Sequence, residues 1–193
     1  MPSEIVPYDA VIVAGGAGTR MGGVSKADLI VDGSRLVESV VAGVHSARTI
    51  VVVGSTDVPD GVVLTHEDPP GTGPAAGLGA GLAVVNHPSP WTLVLSVDLP
   101  DAARVAARLL GAARALEDHF NGAVIVAEHR TQWLMGCYRT RALRRAVDAF
   151  GPLEHAPLRR VLAPLLLQEV APGDALPVDL DSPADLDAWR RRR

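Results

Sequence analysis

Apolar strand-like runs that alternate with helical stripes predict an α/β protein with three layers around a mostly parallel sheet. Two observations carry this expectation. Residues 8 to 14 form a near-continuous β-branched run, the pattern of a strand covered on both faces, and residues 49–53, 61–65, 91–97 and 122–127 repeat it with helical segments between them. No internal repeat or low-complexity linker breaks this alternation, so residues 1–193 are read as one domain with room for a proper core.

Taken in order, the first strand opens into a glycine-rich loop. Residues 35–47 then place Leu36, Val37, Val40, Val41 and Val44 at helical spacing, and the run 49–53 ends at Gly54, which completes one β-loop-α-β unit. After the strand at 61–65 comes the turn-rich stretch Glu67-Asp68-Pro69-Pro70-Gly71-Thr72-Gly73-Pro74. From Pro74 the spacing of Leu78, Leu82 and Val85 predicts a helix, with small residues that admit a close approach to its first turn. The run 91–97 stops at Asp98, and residues 102–116 carry Val105, Leu109, Leu110 and Ala113 on one face, an amphipathic surface helix. Residues 132–138 read as a mixed strand, and 141–150 and 157–167 as two further helices. Ser182-Pro183-Ala184-Asp185 has the residues of a helix start, so a terminal helix is expected to about Trp189.

Composition narrows the function classes. Apolar residues at 48% with charged residues at 21% indicate a soluble globular chain, and aromatics at only 4% leave the packing to Ala, Val and Leu. A formal charge of −4 provides no field for wrapping nucleic acid, and the run from Arg190 to Arg193 reads as a solvated terminus. Cys137 is the single cysteine, which excludes an intrachain disulfide framework and a cysteine-based zinc site and points to a reducing cytoplasm. Residues 1–9 lack a signal-peptide pattern, and no apolar run approaches the ~18 residues of a membrane span.

The chemistry is concentrated in residues 11–26, Val-Ile-Val-Ala-Gly-Gly-Ala-Gly-Thr-Arg-Met-Gly-Gly-Val-Ser-Lys. Five glycines with Arg20 and Lys26 suit an anion held by backbone N–H groups and two cations. Two common phosphate motifs fail here. A dinucleotide fingerprint from Gly16 meets Gly18 but needs glycine where Met21 stands, and a P-loop from Gly18 reaches Gly23 but then needs Lys-Ser/Thr where Val24-Ser25 follows. Asp98 is the second element: a carboxylate ending the apolar run Leu93-Val94-Leu95-Ser96-Val97 is costly if buried unpaired, so it is expected to face the carboxyl-end crevice and meet a cation. Its alternative role, capping the next helix, falls as well to Asp101. The third element is Asp179-Leu180-Asp181, whose two carboxylates share a face if the segment is extended.

Together these stretches resemble the nucleotidyltransferases of sugar-nucleotide and cofactor synthesis, and within them the molybdenum cofactor guanylyltransferase branch, whose loop ends in the Arg-Met-Gly-Gly-x-x-Lys seen at Arg20 to Lys26. The resemblance spans residues 11–186 and implies a Rossmann-like nucleotide-diphospho-sugar transferase fold, an α/β/α sandwich. It further implies that Ala14, Gly15 and Gly16 meet the base and ribose through backbone groups, with Gly18 in the same loop, and that Arg20 and Lys26 hold the triphosphate. Ser96-Val97-Asp98-Leu99-Pro100 is similar to the family's Cys-Asp-x-Pro pattern, so Asp98 is expected to bind Mg2+, with Asp179 or Asp181 completing the site. Gly73-Pro74-Ala75-Ala76-Gly77 resembles the segment that closes over the base, which adds Gly73, Pro74 and Gly77 to the nucleotide contacts, and Asp68 is the nearest acid to it.

The implied reaction is attack of an acceptor phosphate on the α-phosphorus of a nucleoside triphosphate with release of pyrophosphate, which needs positioning and charge stabilisation but no side-chain nucleophile. GTP and molybdenum-bound molybdopterin are the favoured pair, an assignment that leaves room for a transient delivery partner. Gly71-Thr72 stands where the guanylyltransferases often carry aspartate, Gly54-Ser55 where they often carry asparagine, and Asp-x-Asp occurs in relatives with other substrates. A cytidylyltransferase or another phosphate-acceptor enzyme of the superfamily is therefore the rival, and a non-catalytic nucleotide-binding protein is the alternative of another class. Among weaker candidates, Cys137 reads as an inert core thiol, His66, His119, His129 and His155 lack ligand spacing, and Arg130 and Trp133 fall where the family approaches its acceptor.

Overall fold

A computed structural model describes residues 6–15 and 25–173. Its centre is β1 (Tyr8–Val13), six buried positions in succession. Tyr8, Ala10 and Ile12 pack into one core layer while Val11 and Val13 pack into the other, the two-sided burial that its continuous apolar pattern requires. Parallel neighbours flank it: β4 (Ile50–Val53), with Val13 opposite Val53, and β6 (Trp91–Ser96), with Val13 opposite Ser96. β5 (Val63–Thr65) pairs with β4 at one edge. Beyond β6 lie β8 (Arg130–Arg139), β7 (Gly122–Ala127) and, at the other edge, β9 (Leu167–Val170). Only β8 runs antiparallel to its neighbours, so the seven-stranded sheet is mostly parallel, as expected.

The helices cover both faces. α1 (Leu36–Gly43) and α3 (Ala102–Arg114) close one core layer; α2 (Pro74–Ala83), α4 (Thr140–Phe150) and α5 (Leu158–Val161) close the other. α1 carries the chain from β1 to β4 on the first face, and α2 carries it from β5 back across β1 to β6 on the second. The crossover after β1 therefore runs toward β4 and the one after β5 runs back past β1 to β6, which makes the carboxyl end of β1 the topological switch point at which open α/β sheets gather ligands. Among the described residues no helix is long and apolar enough to cross a membrane.

The small residues of α2 explain its closeness to the sheet. A Cβ placed on Gly81 would stand 2.5 Å from Val11 Cγ1 and 2.9 Å from Val53 Cγ2, both on fully buried side chains that have nowhere to go. Gly81→Ala is accordingly expected to cost about 1–3 kcal/mol and to lower Tm by roughly 2–10 °C in a thermal melt; an unchanged Tm would contradict this packing. At its other end α2 is held by Arg144, whose guanidinium donates to Leu82 O at 2.7 Å and Val85 O at 2.9 Å.

Three local features depart from the sequence reading. The stretch 157–167, expected as one helix, is helical only over α5, because Pro164 lacks an N–H and its ring clashes with the preceding turn. The residues after it form the edge strand β9, entered where Asn121 N–H donates to Leu166 O (2.7 Å) and Asn121 Oδ1 accepts Leu166 N–H (3.0 Å). Between the glycine loop and α1 lies a small hairpin, β2 (Ile30–Val31) and β3 (Ser34–Arg35), closed by Asp32 and Gly33 at φ 51° and 84°. The strand expected at 132–138 extends over 130–139 and is joined to β7 by Glu128 and His129, also at positive φ. The helix expected from Ser182 lies outside the described residues.

Candidate active site

At the switch point the ladder continues past the strands. Ala14 N–H donates to Val53 O (2.8 Å) and Val97 N–H to Val13 O (3.1 Å), so the loop leaving β1 and the segment leading to Asp98 emerge side by side. Asp98 is turned into this crevice. Its Oδ2 accepts Lys26 Nζ at 2.9 Å and its Oδ1 accepts the Ser96 hydroxyl, with the carboxylate side chain 14% and the lysine side chain 27% exposed. Residues 72 positions apart thus form one charged pair at the edge of the core. Asp98 does not cap α3; Asp101 occupies the N-cap position, without a side-chain cap hydrogen bond.

Lys26 is held by its surroundings. It opens a single 3-10 turn, Lys26–Asp28, in which the Ala27 methyl is fully buried. Asp28 Oδ1 accepts the Thr56 hydroxyl at 2.7 Å and pairs with Arg35 at 3.3 Å, and Arg35 itself bonds Glu38 in the first turn of α1. The turn that carries the lysine is therefore pinned to the core, to α1 and to the loop after β4 before any ligand arrives. Gly54, at φ +152°, packs its backbone onto Ala14, where a Cβ would stand 3.1 Å from the Ala14 carbonyl carbon.

The Gly-Pro segment starts a helix, as its sequence predicts. Gly73, at φ +103°, is the N-cap of α2, Pro74 is in its first turn, and Gly77 faces Val13 and Val53, where its missing Cβ would lie 3.4 and 3.7 Å from their methyl groups. The start of α2 thus stands beside the exit of β1, with Gly77 packed on Val13 and Val53, while Lys26 and Asp98 meet past the end of β6. Asp68 is exposed on the turn leading there. Gly16, Gly18, Arg20, Asp179 and Asp181 lie outside the described residues.

One acid was missed in the sequence. Glu67, adjacent to Asp68, is only 7% exposed; its Oε1 accepts Gly71 N–H at 3.0 Å, and a Cβ on Gly15 would stand 3.5 Å from that same oxygen. The sequence carried no direct signal for it: Glu67 lies past the end of β5, where strand alternation no longer applies.

The other candidates sort by position. β8 enters the sheet at the carboxyl end of β6, with Met135 opposite Leu95, which brings Arg130 and Trp133 to the crevice side of the molecule. Cys137 is fully buried in the core, and burial pushes its thiol up to about 12. A thiol reagent at mildly alkaline pH is expected to leave the folded protein untouched and to titrate the single thiol only after unfolding. No group of three or more His, Cys, Asp or Glu residues able to hold a metal occurs among the described residues. A separate groove of about 460 Å3, between Pro88–Pro90 and the start of α4, opens at the amino-terminal end of β6, about 20 Å from Asp98 at ~3.3 Å per strand residue.

The sequence family described as the MobA-like NTP transferase domain matches residues 10–170. A protein of Acidiphilium cryptum named molybdenum cofactor guanylyltransferase is 34% identical over 192 residues, covering 93% of this chain and 92% of that protein. Among solved structures, a nucleotidyl transferase from Methanothermobacter thermautotrophicus superposes with a TM-score of 0.74 at 18% identity, over 97% of this chain and 99% of that one. The 2-C-methyl-D-erythritol 4-phosphate cytidylyltransferase of Thermus thermophilus superposes with a TM-score of 0.67 at 21% identity, over 96% and 98%. These structures share the fold, while the sequence match extends across the strands, the Gly-Pro segment and Asp98 alike: the chain belongs to the MobA-like NTP transferase family of nucleotidyltransferases.

Proposed function

We propose that this protein is a cytoplasmic guanylyltransferase that moves GMP from GTP onto the phosphate of molybdenum-bound molybdopterin. The observation that carries the reading is the Lys26–Asp98 pair at the switch point, a cation and an anion set together where a triphosphate would meet the loop leaving β1. An acceptor phosphate oxygen forms a bond to the α-phosphorus, the bond from that phosphorus to the bridging oxygen breaks, and pyrophosphate carries away the electron pair. No redox change and no covalent enzyme intermediate are involved.

Each residue has a task in that scheme. Ala14, Gly15, Gly16 and Gly18 offer backbone groups to the nucleoside and phosphates, and Gly73, Pro74, Gly77 and Asp68 border the base. Arg20 and Lys26 neutralise charge that grows toward the leaving pyrophosphate. Asp98 is suited to a divalent cation: it is a crevice carboxylate that already carries a positive partner in the Lys26 ammonium. A crevice carboxylate of this kind fits Mg2+, which is usually held by one or two carboxylates together with substrate phosphates. Asp98 would hold it, with Asp179 or Asp181 as the second carboxylate, and the ion would supply charge neutralisation at the phosphates. The acceptor approaches from the side of Arg130 and Trp133.

A thermal-shift panel of GTP, CTP, ATP and UTP with Mg2+ tests the nucleotide. The largest stabilisation is expected with GTP, about 2.7 kcal/mol when the ligand is at a hundredfold its Kd. A preference for CTP would overturn the guanine assignment in favour of a cytidylyltransferase, and no stabilisation by any of the four would overturn the nucleotide site.

A further inference from the structure

We infer that Glu67 is a positioning residue of the nucleotide site, a buried carboxylate that fastens the turn between β5 and α2 beside the loop leaving β1. The inference rests on the nucleotide reading above but on a different set of contacts. Glu67 is buried in a chain segment that is otherwise exposed from His66 to Gly71. A carboxylate is costly to bury unless its oxygens are bonded, and here the charge is spent on a backbone group: Gly71 N–H donates to Oε1 at 3.0 Å. The same side chain lies at van der Waals distance from both glycine motifs. A Cβ on Gly15 would stand 3.5 Å from Oε1 and 3.9 Å from Oε2, and a Cβ on Gly77 would stand 3.9 Å from Oε2. One carboxylate is therefore packed between the exit of β1 and the first turns of α2, and it bonds the turn that joins β5 to that helix.

The rest of the turn is built to receive this anchor. The Thr72 hydroxyl donates to Pro69 O at 2.9 Å, His155 N–H donates to Thr72 O at 2.7 Å, and Gly77 N–H donates to Gly73 O at 3.0 Å. These bonds hold the far side of the turn to itself and to the segment before α5, and none of them reaches the β1 side. Glu67 adds a contact on that side, packing its carboxylate beside Gly15. Glu67 turns inward while its neighbour Asp68 stays exposed. Fixing Glu67 thus fixes where Asp68 and the Gly73–Gly77 helix start stand at the crevice, without Glu67 itself touching the ligand.

Two variants with two readouts decide this. In Glu67→Ala, amide exchange of residues 67–73 in the nucleotide-free protein is expected to accelerate. Its Kd and KM for GTP are expected to rise about tenfold, with kcat within about threefold of the parent, because a preorganised contact is lost and the reacting groups are not. In Glu67→Gln the amide oxygen still accepts Gly71 N–H, so protection of the turn and most of the GTP affinity are expected to return. GTP binding is measured well below Tm, so that a loss of stability alone does not register as a loss of affinity. Unchanged exchange in Glu67→Ala overturns the anchor, and loosened exchange with unaltered GTP affinity overturns its role in the site. Equal impairment of Glu67→Gln and Glu67→Ala would show that the charge acts on the ligand and overturn positioning. Should the parent protein bind no nucleoside triphosphate, the nucleotide reading and the site role fall together, and the exchange measurement still decides whether Glu67 holds the turn.

Discussion

Asp98→Asn is expected to lower nucleotidyl transfer by about 10^2–10^3-fold while leaving the protein folded. The side chain keeps its shape and its reach to the Ser96 hydroxyl and to Lys26, and loses only the charge that makes it a partner for cations. Its effect on stability is small, about 1 kcal/mol, because the pair lies at a solvent-reached crevice where ion pairs contribute little. A circular dichroism spectrum and Tm close to the parent, together with a collapsed rate of pyrophosphate release, is the expected combination. Full activity in this variant would sink the assignment of Asp98.

Lys26→Ala is expected to raise KM for the nucleotide and to reduce kcat, with kcat/KM falling about 10^2–10^3-fold. Both constants move because the ammonium serves the bound triphosphate and also the negative charge that accumulates on the departing pyrophosphate. The pinned turn makes this a local change: Ala27 stays in the core, and Asp28 keeps Thr56 and Arg35. The Asp98 carboxylate then loses its cationic partner, which is the reason a drop in Tm of no more than a few degrees is expected beside the kinetic loss. Lys26→Arg restores charge but on a planar, longer group, so partial recovery is expected. Parent-like kcat/KM in Lys26→Ala would remove the lysine from the site.

Features written in contiguous residues were legible in the sequence. β1 announces itself because two-sided burial demands an unbroken apolar run, and Pro74 marks a helix start in the same direct way. Asp98 could be singled out because an acid at the end of a buried strand needs a reason. That Lys26 is its partner was not legible, since a separation of 72 residues is closed only by the pairing of β1 with β6. β9 was hidden for a different reason: Leu165, Leu166 and Leu167 prolong the apolar pattern of α5, and the competing signals were Pro164 and the partner strand β7, the second of which exists only in the folded protein. Glu67 was passed over beside Asp68 because composition does not tell which of two adjacent acids turns inward; the packing between Gly15 and Gly77 decides it.

The product of the reaction identifies the nucleotide and the acceptor together. Purified protein incubated with Mg2+, molybdenum-bound molybdopterin and an equimolar mixture of the four nucleoside triphosphates is expected to release pyrophosphate and to yield the guanine dinucleotide form of the cofactor, identified by mass, with Asp98→Asn and Lys26→Ala as inactive controls. A cytosine dinucleotide as the main product, or pyrophosphate release that survives both substitutions, would contradict it.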